Sequence, residues 1–120
     1  MHERVRVDLW GYSMNETLTK DDLIKESYKG IRPAPGYPAC PEHTVKKDMF
    51  TVLNTCDIGM ELTDSLAMKP ASSVSGFYFS HPEAKYFSVD KIDQDQLKDM
   101  ALRRGVDIEQ LRIWLATNLR

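Results

Sequence analysis

The chain has too little of several things to belong to whole classes of protein. It carries two cysteines, Cys40 and Cys56, in 120 residues, which excludes a disulfide-stapled scaffold and makes reduced thiols the default. Charge of neither sign dominates: 16 Lys and Arg stand against 18 Asp and Glu, for a net charge of −2. Nothing in that balance attracts the phosphates of nucleic acid or an anionic membrane, so neither is expected as a partner. No apolar run approaches the ~20 residues that a bilayer-spanning helix needs. The opening Met1-His2-Glu3-Arg4-Val5-Arg6 lacks the apolar stretch of a secretory signal, and the expected location is cytoplasmic. There is no Gly-rich phosphate loop and no internal repeat. What remains is 42% hydrophobic and 28% charged residues, ordinary for one small soluble domain that buries roughly two-thirds of its unfolded surface.

Proline is scarce except in one place. Arg32-Pro33-Ala34-Pro35-Gly36-Tyr37-Pro38-Ala39-Cys40-Pro41 holds four of the six prolines of the chain. Each fixes its own φ and pushes its predecessor toward extended backbone, so the segment is neither helix interior nor central strand. It reads as a stiff loop with a guanidinium at one end and an aromatic inside. Such a loop loses little conformational entropy on holding a ligand, although a plain connector has the same composition.

The rest of the pattern is α+β, with an antiparallel hairpin flanked in sequence by helices. Residues 1–10 resemble the last turns of an amphipathic helix, ended by Gly11, and their abrupt start suggests the tail of something longer. Thr19 with Asp21 and Asp22 begins a short helix whose apolar face is Leu23, Ile24 and Tyr28 and whose stop is Gly30. Glu26 falls near its C-terminal end, where the dipole disfavours a carboxylate, so a compensating cation such as Arg32 is expected beside it. Val45, Met49, Val52 and Leu53 recur at helical spacing after Pro41, and residues 60–63 suit a short strand. Residues 72–80 are the richest in β-branched and aromatic side chains, and 85–89 read as the return strand, giving a hairpin over about 73–89. Asp93 caps a helix over 94–104 that Gly105 stops, and Asp107 caps a last one carrying Ile108, Leu111, Trp114 and Leu115.

Chemistry-bearing residues are few. Cys40-x-x-His43 has the spacing of two metal ligands, but no motif supplies the rest of a tetrahedral set, and a Cys–His nucleophile pair across a proline is geometrically poor. No metal site and no proton-transfer catalyst is expected. The informative set is Glu26, Arg32 and Tyr37 with Tyr86. A carboxylate, a guanidinium and aromatic rings suit a zwitterionic amino acid bearing an aromatic base: Glu for the ammonium, Arg for the carboxylate, rings for flat or cationic groups. Composition does not choose that ligand by itself.

Longer motifs do. Glu26 followed by Arg32-Pro-Ala-Pro-Gly-Tyr37-Pro-Ala-Cys-Pro-Glu-His-Thr44, then Leu62-Thr63-x-Ser65-x-Ala67-Met68-x-Pro70-x-Ser72-Ser73-Val74-Ser75-Gly76, then Ser80-His81-Pro82-x-Ala84-Lys85-Tyr86, resemble the activation domain of cobalamin-dependent methionine synthase. His2-Glu3-Arg4-Val5-Arg6 and Trp10-Gly11-Tyr12 agree with it, so the resemblance runs through nearly the whole chain. It implies S-adenosylmethionine bound by Glu26, Arg32, Ala34, Tyr37, Tyr86 and Phe87, the last often tyrosine in relatives. It also implies a role: reductive methylation of cob(II)alamin, which reactivates an enzyme that passes a methyl group from 5-methyltetrahydrofolate to homocysteine. Cobalamin would sit on a separate domain of that enzyme, and flavodoxin or an equivalent reductase would deliver the electron. The family's domain is longer, and its N-terminal portion supplies a further acidic ligand. Residues 1–120 therefore read as a C-terminal part, not active alone. The competing reading is an interaction module that docks the cobalamin domain or the reductase without binding S-adenosylmethionine itself.

Overall fold

The computed structural model describes all residues from Met1 to Arg120. They form two units, each built from two stretches of chain: Met1–Pro33 with Gly76–Tyr86, and Ala34–Ser75 with Phe87–Arg120.

The first unit opens with a π-helical segment, Arg4–Leu9, in which the Trp10 amide donates to the Val5 carbonyl at 3.0 Å. Helix α1, Lys20–Ile24, begins at a reciprocal cap: the Asp22 amide donates to the Thr19 hydroxyl at 3.2 Å and the Thr19 amide to the Asp22 carboxylate at 2.8 Å. This ties down two otherwise orphaned donors, and the hydrogen bonds from Thr19 hold the Asp22 carboxyl below its usual range. The helix is shorter than its pattern suggests. Its stop is Glu26, not Gly30: Ser27 donates back to Asp22 at 2.9 Å and Glu26 to Leu23 at 3.4 Å, with Glu26 left-handed at φ 57°. This is a Schellman-type ending with glutamate where glycine is usual. Further on, Ile31 and Phe79 exchange two main-chain hydrogen bonds of 2.9 Å, and Phe77 donates to the Pro33 carbonyl at 2.8 Å.

Those bonds correct the expected hairpin over 73–89. Residues 72–80 are extended in part, yet they pair with the backbone of Ile31 and Pro33, and 85–89 form no ladder with them. The Pro33 nitrogen carries no hydrogen to lengthen that pairing, so it stays a bridge. The antiparallel hairpin of the molecule is instead β1, Glu61–Leu62, against β2, Met68–Lys69, with Glu61 opposite Lys69 and Leu62 opposite Met68.

In the second unit the proline loop is closed by its own main chain. Tyr37 donates to Ala34 at 3.2 Å, Cys40 to Tyr37 at 2.9 Å and Gly36 to Cys40 at 2.8 Å. Gly36, at φ 91°, passes so close to His43 that an added Cβ would meet its ring nitrogens at 2.8 and 3.0 Å, so only glycine fits. Helix α2, Val45–Val52, starts later than Pro41 would allow, because the buried Glu42 is committed to an ion pair with Arg104, which also donates to Thr44 at 3.2 Å. The Lys46 ammonium donates to the Leu66 carbonyl in the β1–β2 turn.

The core lies between α3, Gln94–Arg104, and α4, Ile108–Trp114, where Leu97, Ala101, Leu111 and Leu115 are buried and Ile92, Met100, Val106 and Leu119 pack around them. Burying each leucine contributes about 1.5–3 kcal/mol. Both helices start as their sequence signals indicate. Asp93 and Gln96 form a capping box, and the Asp107 carboxylate accepts from Glu109 and Gln110 at 2.9 and 3.1 Å.

Gly30 and Gly59 provide a test of the bridge. Both have positive φ, 76° and 71°, so alanine at either costs about 1 kcal/mol of backbone strain. A Cβ on Gly30 would also press into the Phe79 carbonyl and lie 3.3 Å from the Ser80 Cα, whereas one on Gly59 meets nothing within 4 Å. Urea denaturation should show Gly30→Ala losing at least ~1 kcal/mol more than Gly59→Ala; equal losses would mean that the Ile31–Phe79 contact yields easily.

Candidate functional site

The densest polar cluster of the first unit is organised around the ring of Tyr28, itself buried. The Arg6 guanidinium lies 5.2 Å from the ring centroid and the Arg32 guanidinium 5.1 Å, both within cation–π range. Arg6 also stacks on Tyr12 at 5.4 Å. It is 2% exposed, so its charge must be compensated within the protein. Glu16 pairs with it, the Lys29 carbonyl accepts at 3.1 Å, and Glu16 reaches on to accept the Lys29 amide at 2.6 Å.

Arg32 is fixed from two sides. Its Nε donates to the Tyr28 hydroxyl at 2.9 Å, its main-chain N–H to the Tyr86 hydroxyl at 2.9 Å, and the two hydroxyls hydrogen-bond each other. Burial is the largest single influence on Arg32 and opposes its charge, but the hydrogen bond to Tyr28 and the nearby Tyr28 and Tyr86 phenols together outweigh it and raise the pKa. Burial, then the bond to Tyr86, pushes the Tyr28 phenol up to about 12, so it keeps its proton at neutral pH. The Nη2 of Arg32 has no hydrogen-bond partner. The result is a preorganised guanidinium edge with one free donor nitrogen, suited to a carboxylate.

Of the residues expected to bind ligand, the structure brings Arg32 and Tyr86 into direct contact. Glu26 belongs to the same unit but enters none of the six ion pairs of the chain, and the compensating cation expected beside it is not there. It is exposed and left-handed. Ala34, Tyr37 and Phe87 belong to the second unit; both rings are exposed, at 66% and 60%. Cys40 and His43 make no hydrogen bond to each other. Burial, with Glu42 adding to it, pushes the Cys40 thiol up, against a nucleophilic role.

Sequence reasoning missed Tyr28, His2, Arg6 and Glu16. The sequence pattern puts Tyr28 on the apolar face of a helix that ends before reaching it. The available signal was spacing: His2 with Arg6, and Tyr28 with Arg32, each stand four residues apart.

The sequence pattern of the vitamin B12 dependent methionine synthase activation domain matches residues 1–105. Among solved structures, a crystal structure of the MetH reactivation domain bound to AdoHcy matches with a TM-score of 0.91 at 54% sequence identity, over 98% of this chain and 37% of that chain. The α+β class, helices with one small antiparallel sheet, is that of the matched domain.

His2 reports on the cluster without any ligand. Its Nδ1 lies 3.2 Å from Arg32 Nη1 and its Nε2 2.9 Å from Arg6 Nη1, and its ring sits edge-on to Tyr28 at 4.8 Å. Guanidinium nitrogens only donate, so the ring must offer a lone pair, which imidazolium lacks. Burial, then Arg6 and Arg32, lower its pKa, with Glu16 opposing. Because the folded value lies below the unfolded one, this contribution to stability is complete above the ordinary imidazole pKa and declines as pH falls through it. NMR titration should place the His2 midpoint below that of a free imidazole, and Arg32→Ala should raise it. A midpoint unmoved by Arg32→Ala would dissolve the contact.

Proposed function

The chain belongs to the activation-domain family of vitamin B12-dependent methionine synthase, and from that premise we propose that it binds S-adenosylmethionine with Arg32 as the anchor for the methionine carboxylate. The observation that carries this reading is the Arg32 guanidinium, held at Nε by Tyr28, with His2 beside its Nη1 and its Nη2 left free. Glu26 is proposed to take the ligand ammonium. A non-glycine residue held at positive φ with no partner of its own is a costly way to end a helix, and such strain concentrates at functional positions. Tyr86 contributes its hydroxyl. Ala34, Tyr37 and Phe87 are proposed as further ligand residues on the strength of their place in the motifs.

In this reading residues 1–120 form the C-terminal part of the activation domain of a cytoplasmic methyltransferase. The bound sulfonium supplies a methyl group whose transfer to reduced cobalamin, held by another domain of the same enzyme, is strongly downhill. The protein itself contributes placement: Arg32 and Glu26 fix the amino-acid end, so the methyl group is presented in one orientation, a proximity effect. No side chain is asked to move a proton. A flavodoxin-like reductase supplies the electron, and the chain alone holds the methyl donor without completing turnover.

Calorimetric titration of S-adenosylmethionine into the intact protein tests the assignment. Arg32→Ala and Arg32→Lys should each lose ~2–5 kcal/mol, about 30-fold to several thousand-fold in affinity, because a lysine ammonium cannot be held by Tyr28 through one nitrogen while another faces the carboxylate. Glu26→Gln should weaken binding as well, and unchanged affinity in all three variants would remove the site. Glu26→Gly separates the two roles of that residue. It should raise stability by roughly 0.5–1 kcal/mol by relieving the left-handed strain, and lower affinity at the same time. Stability gained with affinity intact would reduce Glu26 to a poor helix stop.

A further inference from the structure

The hydroxyl pair beneath Arg32 holds more information than its contacts alone. Two phenols share one short contact, so only one of their two protons can lie between them. Each oxygen also accepts from Arg32, Tyr28 from Nε–H and Tyr86 from the main-chain N–H, both at 2.9 Å. If the shared proton came from Tyr86, the proton of Tyr28 would be left without an acceptor on a residue that is 7% exposed, which is costly. If it comes from Tyr28, the unused proton sits on Tyr86, which is only partly buried. The second arrangement satisfies the buried group.

We propose that Tyr28 is a positioning residue that sets the polarity of the site: it donates to Tyr86, accepts from Arg32, and so leaves the Tyr86 O–H and the Arg32 Nη2 as two unused donors for an acceptor-only group. The inference rests on the reading that Arg32 holds the ligand carboxylate, and it deepens that reading by specifying why a carboxylate is selected. An ammonium or amide N–H brought to the same place would meet donors only. Tyr28 touches no ligand in this account. Its ring holds the two guanidinium groups and its hydroxyl sets the direction of one hydrogen bond.

The test uses the intact protein and two probes, S-adenosylmethionine and its decarboxylated analogue. The parent protein should prefer the first. Tyr28→Phe keeps the ring and both cation–π contacts and removes only the oxygen; it should weaken S-adenosylmethionine binding about tenfold to a hundredfold while leaving the analogue unchanged. Tyr86→Phe should erode the same discrimination, and the double variant should lose little more than either single one, since both act through one proton. Tyr28→Phe binding S-adenosylmethionine within twofold of the parent, or weakening both probes equally, overturns the proposal. Should Tyr28→Phe fail to fold, Tyr86→Phe decides: discrimination fully retained overturns the proposal, and discrimination lost supports it. A parent protein that binds neither probe defeats the S-adenosylmethionine reading itself, an outcome visible before any variant is made.

Discussion

A charged side chain with 2% of its surface exposed is the constraint on which the first unit depends. Arg6 can occupy that position only if several stretches of chain arrive together: Glu16 with its carboxylate, Lys29 with its carbonyl, Tyr12 and Tyr28 with their ring faces. Losing one of these leaves a buried charge short of a partner, which typically costs several kcal/mol. Arg6 therefore fixes where residue 28 lies, and Tyr28 in turn fixes where residue 32 points. The Arg32 guanidinium is the exposed end of a chain of contacts whose inner end is another guanidinium.

This arrangement explains how an electrostatically unfavourable pair can persist. Two like charges beside one ring repel, but each meets the negative π-system, and Glu16 neutralises the inner one. His2 lies between them and can accept from only one, and burial, then the two cations, lower its pKa. The second unit solves a similar problem with fewer parts. Glu42 is buried and paired with Arg104, which also donates to Thr44, so the end of α3 is tied to the start of α2, and the other Glu42 oxygen has no partner.

Features governed by neighbours along the chain were legible from sequence. Asp93, Gly105 and Asp107 mark helix ends through bonds to residues within a few positions, and all three do so in the structure. The proline loop is likewise a local consequence of fixed φ angles. The hairpin was misplaced because β-propensity records which residues suit a pleated surface and says nothing about the partner. Residues 72–80 found Ile31 and Pro33, more than forty positions away, and no short-range signal marks that choice. Within the candidate site, Arg32 and Tyr86 stood out by residue type and motif. Tyr28 and Arg6 did not, since a buried tyrosine reads as core and an arginine on an amphipathic segment reads as solvated. Their roles come from long-range geometry that a one-dimensional pattern does not encode.

The two units each take their chain from two separate stretches, and this interleaving has a temporal side. On a ribosome, Met1–Pro33 emerges with Arg6, Tyr28 and Arg32 but without Tyr86, which follows only after most of the second unit has been made. Glu42 likewise waits for Arg104, sixty-two residues later. Neither unit can close while the other is unstarted, so vectorial synthesis gives this chain no early folded half. Contacts of such sequence separation also slow folding relative to a helical bundle of equal length. A translational pause before residue 86 would leave Arg32 without Tyr86 and Glu42 without Arg104 at the same time.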